Sequence, residues 1–474
     1  MSMTDEFKKG LIFSSIGKYS NVIIQIGVTG VLSRILTPKD YSIVAVVNVF
    51  LVFFQMLADM GIGPAIIQNK QLSKNDEKNI FTFSVYLSVI LSVLFMMLGY
   101  PISIFYNNEV YLSICTILGV CVFFYGLLVV PQSLLLKQKD FATVNKLTVL
   151  VNLLTGLVSI SLALLGFNYY SIIISNIVRA GTLFFLFFIK VNIKPSKRLN
   201  MESINKIWGF SKNQFSFNFI NYFSRNLDNI LIGRFLNPVY LAYYDKAYQV
   251  SLYPNQMLTN VITPVIQPFM SEYENRKDIL KKTYFKITLI LGNLGVPLSV
   301  FLFFSAKEII FFLFGAQWEG STNSLKILAL SVGFQMIGSS TGAIYQSANR
   351  TDLLLLSGIQ SAILNIASII TGVFLGKIEF VAAMVVFSFL INFIFNNYLL
   401  LYRIFESNFL EFLGVLSKPI VMGVVQFIYF LILPELPYSI FINLIIKSSG
   451  FLTCFVIGLI VTRQFSNIKK ALGK

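Results

Sequence analysis

The sequence predicts an all-α integral membrane protein with about fourteen transmembrane helices. Of its 474 residues, 56% are hydrophobic and only 12% are charged. The apolar residues fall into windows of about 20 residues, each long enough to cross hydrocarbon as a helix with all its backbone hydrogen bonds satisfied internally. No remaining stretch is long enough to form a soluble domain.

The apolar windows follow one another along the whole chain. In order, the predicted spans cover residues 11–33, 40–62, 80–100, 110–131, 144–166, 170–190, 213–236, 239–262, 284–304, 321–345, 352–376, 380–402, 418–434 and 440–462. The first window follows two lysines, as a signal peptide would, but it is too long for a signal-peptide apolar region and lacks a convincing cleavage site. We therefore expect it to remain in the mature protein.

Lysine and arginine residues concentrate in alternate breaks between the windows. One set of breaks, which includes both termini, holds most of them, whereas the other set offers little beyond Lys39, Lys307 and Lys377. The positive-inside rule then predicts that both termini are cytoplasmic and that the number of spans is even. The net charge of +16 is scattered over short loops, so it indicates orientation and not a nucleic-acid partner.

Cysteine and histidine chemistry contributes little to the prediction. Cys115, Cys121 and Cys454 lie inside apolar windows, where a free thiol behaves as a small hydrophobe. The sequence contains no histidine, which removes imidazole as a metal ligand and as a proton relay. We expect no metal site and no cofactor, and any proton chemistry would have to use carboxylates.

A short pattern occurs twice in the chain. The segments SRILTPKDYS at 33–42 and GRFLNPVYLA at 233–242 share Arg, Leu and Pro at an offset of 200 residues. The same offset pairs Asn21 with Asn221 and Pro64 with Pro264. Both copies would run from the inside outward, which predicts a parallel repeat of two lobes with a cleft between them.

The repeat suggests a division of the chain into four parts. We expect an N-lobe at 1–190, a cytoplasmic linker at 191–212, a C-lobe at 213–402, and a C-terminal helix pair with a cytoplasmic tail at 403–474. The linker places Ile204, Ile207, Trp208 and Phe210 where they could form one helical face on the inner leaflet, although a plain solvated linker explains it equally well. Near the outer ends, Trp318 is expected in an aromatic belt at the membrane interface.

Polar residues inside the predicted spans are the candidate site residues, because placing them in lipid is costly. They concentrate in the four spans related by the repeat, and Arg179 in the sixth span is the main charged exception. Asparagine and glutamine could instead link helices by hydrogen bonds, and Arg225 and Asp228 could neutralise each other. Lys18 and Arg225 lie too deep to reach an interface easily, so we interpret them as lining a cationic, water-filled cavity that suits an anionic substrate.

Four segments carry a family resemblance: LSRILTPKDYSIVAVVNVF, ADMGIGPAIIQNK, NLDNILIGRFLNPVYLAYYDKAYQVSLYPNQ and FGAQWEGSTNSLKILAL. They resemble signature segments of bacterial polysaccharide-repeat-unit flippases (Wzx-type), the polysaccharide-transporter branch of the multidrug/oligosaccharidyl-lipid/polysaccharide (MOP) superfamily. The similarity is greatest to the colanic-acid and teichuronic-acid exporter group. The resemblance implies two six-helix lobes around a central cavity, two additional C-terminal helices, and alternating access.

The resemblance also implies a function and a location. Proteins of this family move undecaprenyl-pyrophosphate-linked oligosaccharides from the inner to the outer leaflet, for capsule, O-antigen or exopolysaccharide biosynthesis. The chain would then be a transporter and not an enzyme, in the bacterial cytoplasmic membrane. Its partners would be the lipid-linked oligosaccharide, membrane lipid, and the polysaccharide polymerase and chain-length machinery.

Site residues follow from the resemblance together with the polar positions. The expected substrate-binding set is Lys18, Asn21, Gln25, Gln55, Arg179, Asn221, Arg225, Lys246 and Gln256. The candidate carboxylates for coupling to H⁺ or Na⁺ are Asp59, Asp228 and Asp245. Asp59 has no cation one turn away and is the least compensated of the three, but it could instead cap the turn at Gly61 to Gly63.

Two other functions are compatible with parts of the pattern. A drug or cation exporter of the same superfamily would share the fold but favour a net-acidic cavity, whereas deep cations outnumber unpaired acids here. A membrane glycosyltransferase or polymerase would normally need a sizeable outer loop, and the longest outer break here is roughly 15 residues by the spans above.

Overall fold

The computed structural model describes residues 3–196, 199–271, 273–274, 276–434 and 437–464. Within these ranges the structure consists of helices joined by turns and short loops, with no β-strand. It divides into two compact units, Met1–Ala242 and Tyr243–Lys474, with the boundary inside one long helix. The four-part division expected from the sequence stays a prediction.

The helices of the first unit are mostly long. They are α1 (Met3–Ile35), α2 (Pro38–Asp59), α3 (Ile62–Gln68), α4 (Lys74–Tyr106), α5 (Val110–Lys137), α6 (Phe141–Leu164), α7 (Tyr170–Val191) and α8 (Met201–Leu231). A π-helical segment, Ile232–Leu236, connects α8 to α9 (Pro238–Ser271), which continues into the second unit.

The second unit mixes long helices with short ones. They are α10 (Lys277–Phe304), α11 (Ala306–Leu313), a 3₁₀ segment (Ala316–Ser321), α12 (Thr322–Ala329), α13 (Val332–Gly338), α14 (Thr341–Ser347), α15 (Thr351–Phe374), α16 (Ile378–Leu399), a π segment (Leu400–Ile404), α17 (Phe409–Ile432) and α18 (Ile440–Val461).

Within the described ranges, ten helices are long and apolar enough to cross a membrane. An eleventh crossing would be formed by Ala316–Ala329 and Val332–Ser347, which are bent by 51° at a short break. The predicted windows 11–33, 213–236 and 239–262 lie in α1, α8 and α9, which are 33, 31 and 34 residues long. The chain is therefore a multi-pass membrane protein, and the count of fourteen spans stays a prediction.

The repeated sequence pattern lies at two helix starts. Thr37 caps α2: its hydroxyl accepts from the Asp40 amide, the Asp40 carboxylate accepts from the Thr37 amide, and Pro38 occupies the first turn. In the second copy the Asn237 side chain accepts from the Val239 amide, and Pro238 begins α9. Each copy therefore stops one helix and starts the next, because proline has no N–H to continue the preceding helix.

Close helix packing in the first unit depends on small residues. The Ser92 hydroxyl of α4 donates to the Gly119 carbonyl of α5 at 2.7 Å. At Gly126, further along α5, a Cβ atom would lie 2.1 Å from the Ser88 hydroxyl oxygen of α4. Small side chains at these positions let the two backbones approach closely, as is common between membrane helices.

The region expected to be a linker begins α8 and packs against the first unit. Ile204 and Ile207 are buried, whereas Trp208 and Phe210 are exposed. The Lys206 ammonium and the Ser203 hydroxyl both donate to the Asp76 carboxylate at the start of α4. Of the four apolar side chains expected on one face, the two isoleucines are therefore buried in the protein, and the tryptophan and the phenylalanine lie at its surface.

In the second unit, an aromatic side chain links three helices. The Tyr284 hydroxyl donates to the Asn397 side chain at 2.6 Å, and its ring stacks on that of Phe412.

The expectation that Trp318 lies in an interfacial aromatic belt is wrong. Its side chain is 0% exposed, because the 3₁₀ segment turns it inward against Tyr243 and Phe314.

Candidate functional site

A chain of polar contacts links five helices in the first unit. The Asn152 amide on α6 donates to the Asn21 side-chain oxygen on α1 at 2.7 Å. The Arg179 Nε on α7 donates to the Asn152 oxygen at 2.7 Å, and its Nη1 donates to the Tyr125 hydroxyl on α5 at 3.3 Å. Gln55 on α2 is a further partner of that hydroxyl. A cation is thus held by neutral hydrogen-bond acceptors among apolar helices.

The position of Arg179 along its helix explains why it needs these partners. It is the tenth of the 22 residues of α7, so it lies about 14 Å from the start of the helix at 1.5 Å per residue. At that depth its side chain cannot easily reach either membrane surface. The guanidinium must therefore be satisfied inside the protein or by whatever enters the space beside it.

That space is an open cavity of about 440 Å³ lined by residues of the first unit. Its wall combines apolar side chains from α5 and α7 with a few polar ones. The polar side chains in the wall belong to Gln55, Asp59, Tyr125, Gln132, Ser133, Thr148 and Arg179. A concave site with a mainly apolar wall and convergent polar groups is typical of small-molecule binding.

Asp59 lies in the wall of this cavity and also stabilises the turn after α2. Its Oδ1 accepts from the Gly63 amide at 3.2 Å. A Cβ atom at Gly63 would lie 2.9 Å from that oxygen, so the close approach requires glycine. The interpretation of Asp59 as a residue that hydrogen-bonds the turn is therefore confirmed. Asp59 and Arg179 both line the cavity, and the role of Asp59 in coupling stays a prediction.

Among the candidates of the first unit whose side chains are described, Lys18, Gln25 and Asp228 do not line this cavity. Lys18 and Gln25 on α1 are exposed. Asp228 on α8 is buried and accepts from the Asn229 amide at 2.8 Å. The side chains of Asn221 and Arg225 lie outside the described residues.

In the second unit, Lys246 is buried between aromatic rings. Its side chain is 3% exposed, and its ammonium lies 5.0 Å from the ring centre of Phe314 and 5.3 Å from that of Trp318. A cation over two ring faces is stabilised by the ring quadrupoles. Asp245 precedes it and is partly buried, and Gln256 further along α9 is exposed.

The structure thus brings together Asn21, Gln55, Asp59 and Arg179 from the predicted set. Sequence reasoning missed Tyr125, Asn152 and Gln132, which complete the contacts around Arg179 and the cavity wall. The available signal was weak: an asparagine inside an apolar window and a glutamine at the end of one.

The chain is similar to known proteins in sequence and in structure. A family model described as "Polysaccharide biosynthesis protein" matches residues 31–323. The teichuronic acid biosynthesis protein TuaB of Bacillus subtilis is 24% identical over 433 residues, covering 90% of this chain and 89% of TuaB. The lipopolysaccharide biosynthesis protein WzxC of Escherichia coli is 22% identical over 467 residues, covering 94% and 89%.

Two solved structures show the same fold. The lipid II flippase MurJ, in an inward closed conformation, matches with a TM-score of 0.77 at 15% identity, over 95% of this chain and 99% of that one. An inward-facing multidrug transporter of the MATE family and MOP superfamily matches with a TM-score of 0.57 at 16% identity, over 81% and 98%. The chain therefore has the fold of MOP-superfamily transporters.

Proposed function

We propose that this chain, which belongs to the polysaccharide biosynthesis protein family, is a flippase for lipid-linked oligosaccharides in the bacterial inner membrane. Its relatives are named for the biosynthesis of teichuronic acid and lipopolysaccharide, and a structure with the same fold is a lipid II flippase. The substrate we infer is an undecaprenyl-pyrophosphate-linked repeat unit, moved from the inner to the outer leaflet. The glycan itself is left open.

The observation that carries the proposal is a hydrogen-bonded arginine facing a cavity among apolar helices. A pyrophosphate with a polar glycan cannot cross hydrocarbon unaided, whereas its lipid tail can remain in the bilayer. Asn152 and Tyr125 use two of the five N–H donors of Arg179, and the others can meet an anionic group of the substrate. Gln55 and Gln132 would then serve the hydroxyl groups of a sugar.

We assign the remaining candidates by their chemistry. Lys18 and Arg225 would attract the pyrophosphate, and Asn21, Gln25, Asn221 and Gln256 would contribute contacts at other stages of an alternating-access cycle. Lys246, buried against Phe314 and Trp318, would instead stabilise the packing of the second unit. By the positive-inside rule, both termini would be cytoplasmic. This role is transport and not catalysis.

Energy input would enter through a carboxylate. Asp59 is the favoured candidate because it shares the cavity with Arg179, so loading it with H⁺ or Na⁺ would alter the charge that an anionic substrate meets. Asp228 and Asp245 are the alternatives.

The test is a transport assay in cells and in proteoliposomes. Lipid-linked repeat units should accumulate on the inner leaflet when the protein is removed and should reach the outer leaflet when it is restored. Arg179→Ala should fail to restore transport, whereas the exposed control Arg276→Gln should succeed. Equal outer-leaflet delivery without the protein would refute the proposal, and rescue of drug resistance instead would favour a drug exporter.

A further inference from the structure

A second cavity lies in the second unit. It is a groove of about 440 Å³ between α10 and α17, which we call the α10–α17 groove. Phe285, Lys286 and Leu289 line one side, and Glu411, Gly414, Val415 and Lys418 line the other. We propose that this groove is a binding site for an anionic phospholipid of the inner leaflet.

The charge of the groove is positive. Glu411 is compensated, because its carboxylate pairs with Lys281 and accepts from the Ser407 hydroxyl at 2.9 Å. Lys286 and Lys418 are exposed and take part in none of the ion pairs among the described residues. Two uncompensated ammonium groups on facing helices match the charge of a phosphodiester.

The depth of the two lysines matches the headgroup layer. Each lies nine residues after the start of its helix, Lys286 in α10 and Lys418 in α17. Both also fall at the beginning of an apolar window, 284–304 and 418–434. A lysine at such a boundary can place its ammonium among headgroups while its stem follows apolar surface. The positive-inside rule places this boundary on the cytoplasmic side.

The shape of the groove suits a lipid better than a free ion. The side chains of Phe285, Leu289 and Val415 give it an apolar wall along which an acyl chain can lie. A Cβ atom at Gly414 would meet no atom within 4 Å, so this position leaves open space. Further along, α10 and α17 come together at Gly292, where a Cβ atom would lie 2.9 Å from the Pro419 ring. The two helices therefore meet at this level and bound the groove there.

The first test removes the charge. Native mass spectrometry of the full-length protein would measure retention of phosphatidylglycerol against phosphatidylethanolamine. Lys286→Gln with Lys418→Gln should weaken phosphatidylglycerol binding about thirtyfold, at about fivefold for each lysine. The matched control Lys70→Gln with Lys282→Gln removes two exposed lysines outside the groove and should bind as wild type does.

The second test fills the space and keeps the charge. Gly414→Leu should abolish the retained phosphatidylglycerol, whereas Gly358→Leu, at another open helical glycine, should not. Unchanged binding by both groove variants, or equal loss in the controls, would overturn the proposal. Displacement of the lipid by millimolar inorganic phosphate would also overturn it, in favour of a free-anion site. No arm depends on transport, so the outcome is independent of the proposed function.

Discussion

The two halves of the chain hold a deep cation in opposite ways. Arg179 in the first unit is bound by the polar side chains of Asn152 and Tyr125 and faces a cavity. Lys246 in the second unit is buried against the rings of Phe314 and Trp318. Their sequence contexts also differ, since Arg179 lies in the apolar helix α7, whereas Lys246 follows Asp245 in the more polar helix α9. From these neighbours we predict that Arg179 meets a ligand and that Lys246 stabilises packing.

The largest effect is expected at Arg179. Replacement by alanine leaves Asn152 and Tyr125 without their charged partner, and hydrogen bonds to charged groups are worth about 1.5–3 kcal/mol each. We expect Arg179→Ala to reduce transport by more than about tenfold. Arg179→Lys keeps the charge but cannot contact both partners with the same geometry, so it should retain part of the activity.

Folding and transport must be separated in that experiment. Thermal unfolding in detergent and membrane yield would be measured beside the outer-leaflet assay. Asn152→Ala serves as the control, because it breaks the same contact from the other side and keeps the guanidinium. If Arg179→Ala transports as wild type does, Arg179 is not needed for transport, and the proposed functional difference between Arg179 and Lys246 is wrong.

The second prediction concerns Asp59, which shares the cavity with Arg179. Asp59→Asn keeps an oxygen that can accept from the Gly63 amide, so we expect normal yield. It removes the charge, so transport should no longer depend on an imposed proton or sodium gradient. Asp59→Ala should lose the turn contact as well, at a cost of about 1 kcal/mol in stability. Gradient-dependent transport by Asp59→Asn would restrict this residue to its role in the turn.

Sequence reasoning located the helices better than it located the site. Apolar windows predict spans because lipid forces backbone groups to bond within a helix, and ten such helices are present in the described ranges. Arg179 was visible because a charge is rare in an apolar window. Tyr125 and Asn152 were not, because their role depends on which helices pack together. Trp318 was misplaced for the same reason, since only tertiary packing turns it inward.

A smaller effect is expected at Lys246. Lys246→Met removes two cation–π contacts but also the cost of burying a charge, so we expect a net loss of about 1 kcal/mol in stability. Transport per folded molecule should remain close to wild type. Lys246→Arg, which keeps the cation, is the control for stability. A transport loss as large as that of Arg179→Ala would break the comparison and place Lys246 on the substrate path.

The smallest effects are expected at the two repeated turns. Thr37 belongs to a reciprocal capping box with Asp40, whereas the Asn237 side chain caps the second turn by accepting from the Val239 amide. Removing a cap costs about 0.5–2 kcal/mol. We expect Thr37→Ala to cost about 1 kcal/mol and Asn237→Ala about 0.5 kcal/mol, both with unchanged transport.

Both copies of the repeat have proline in the first turn, but they differ in the capping residue. Comparing the stability lost in Thr37→Ala with that lost in Asn237→Ala tests how much each cap contributes. Pro38 and Pro238 fix the backbone of the first turn in both copies, so the cap adds stability to a helix start that is already set. Thermal unfolding of the two alanine variants, measured in one detergent, gives the order directly. A larger loss of stability in Asn237→Ala than in Thr37→Ala would contradict the prediction, because it would mean that the second turn depends more on its cap than the first.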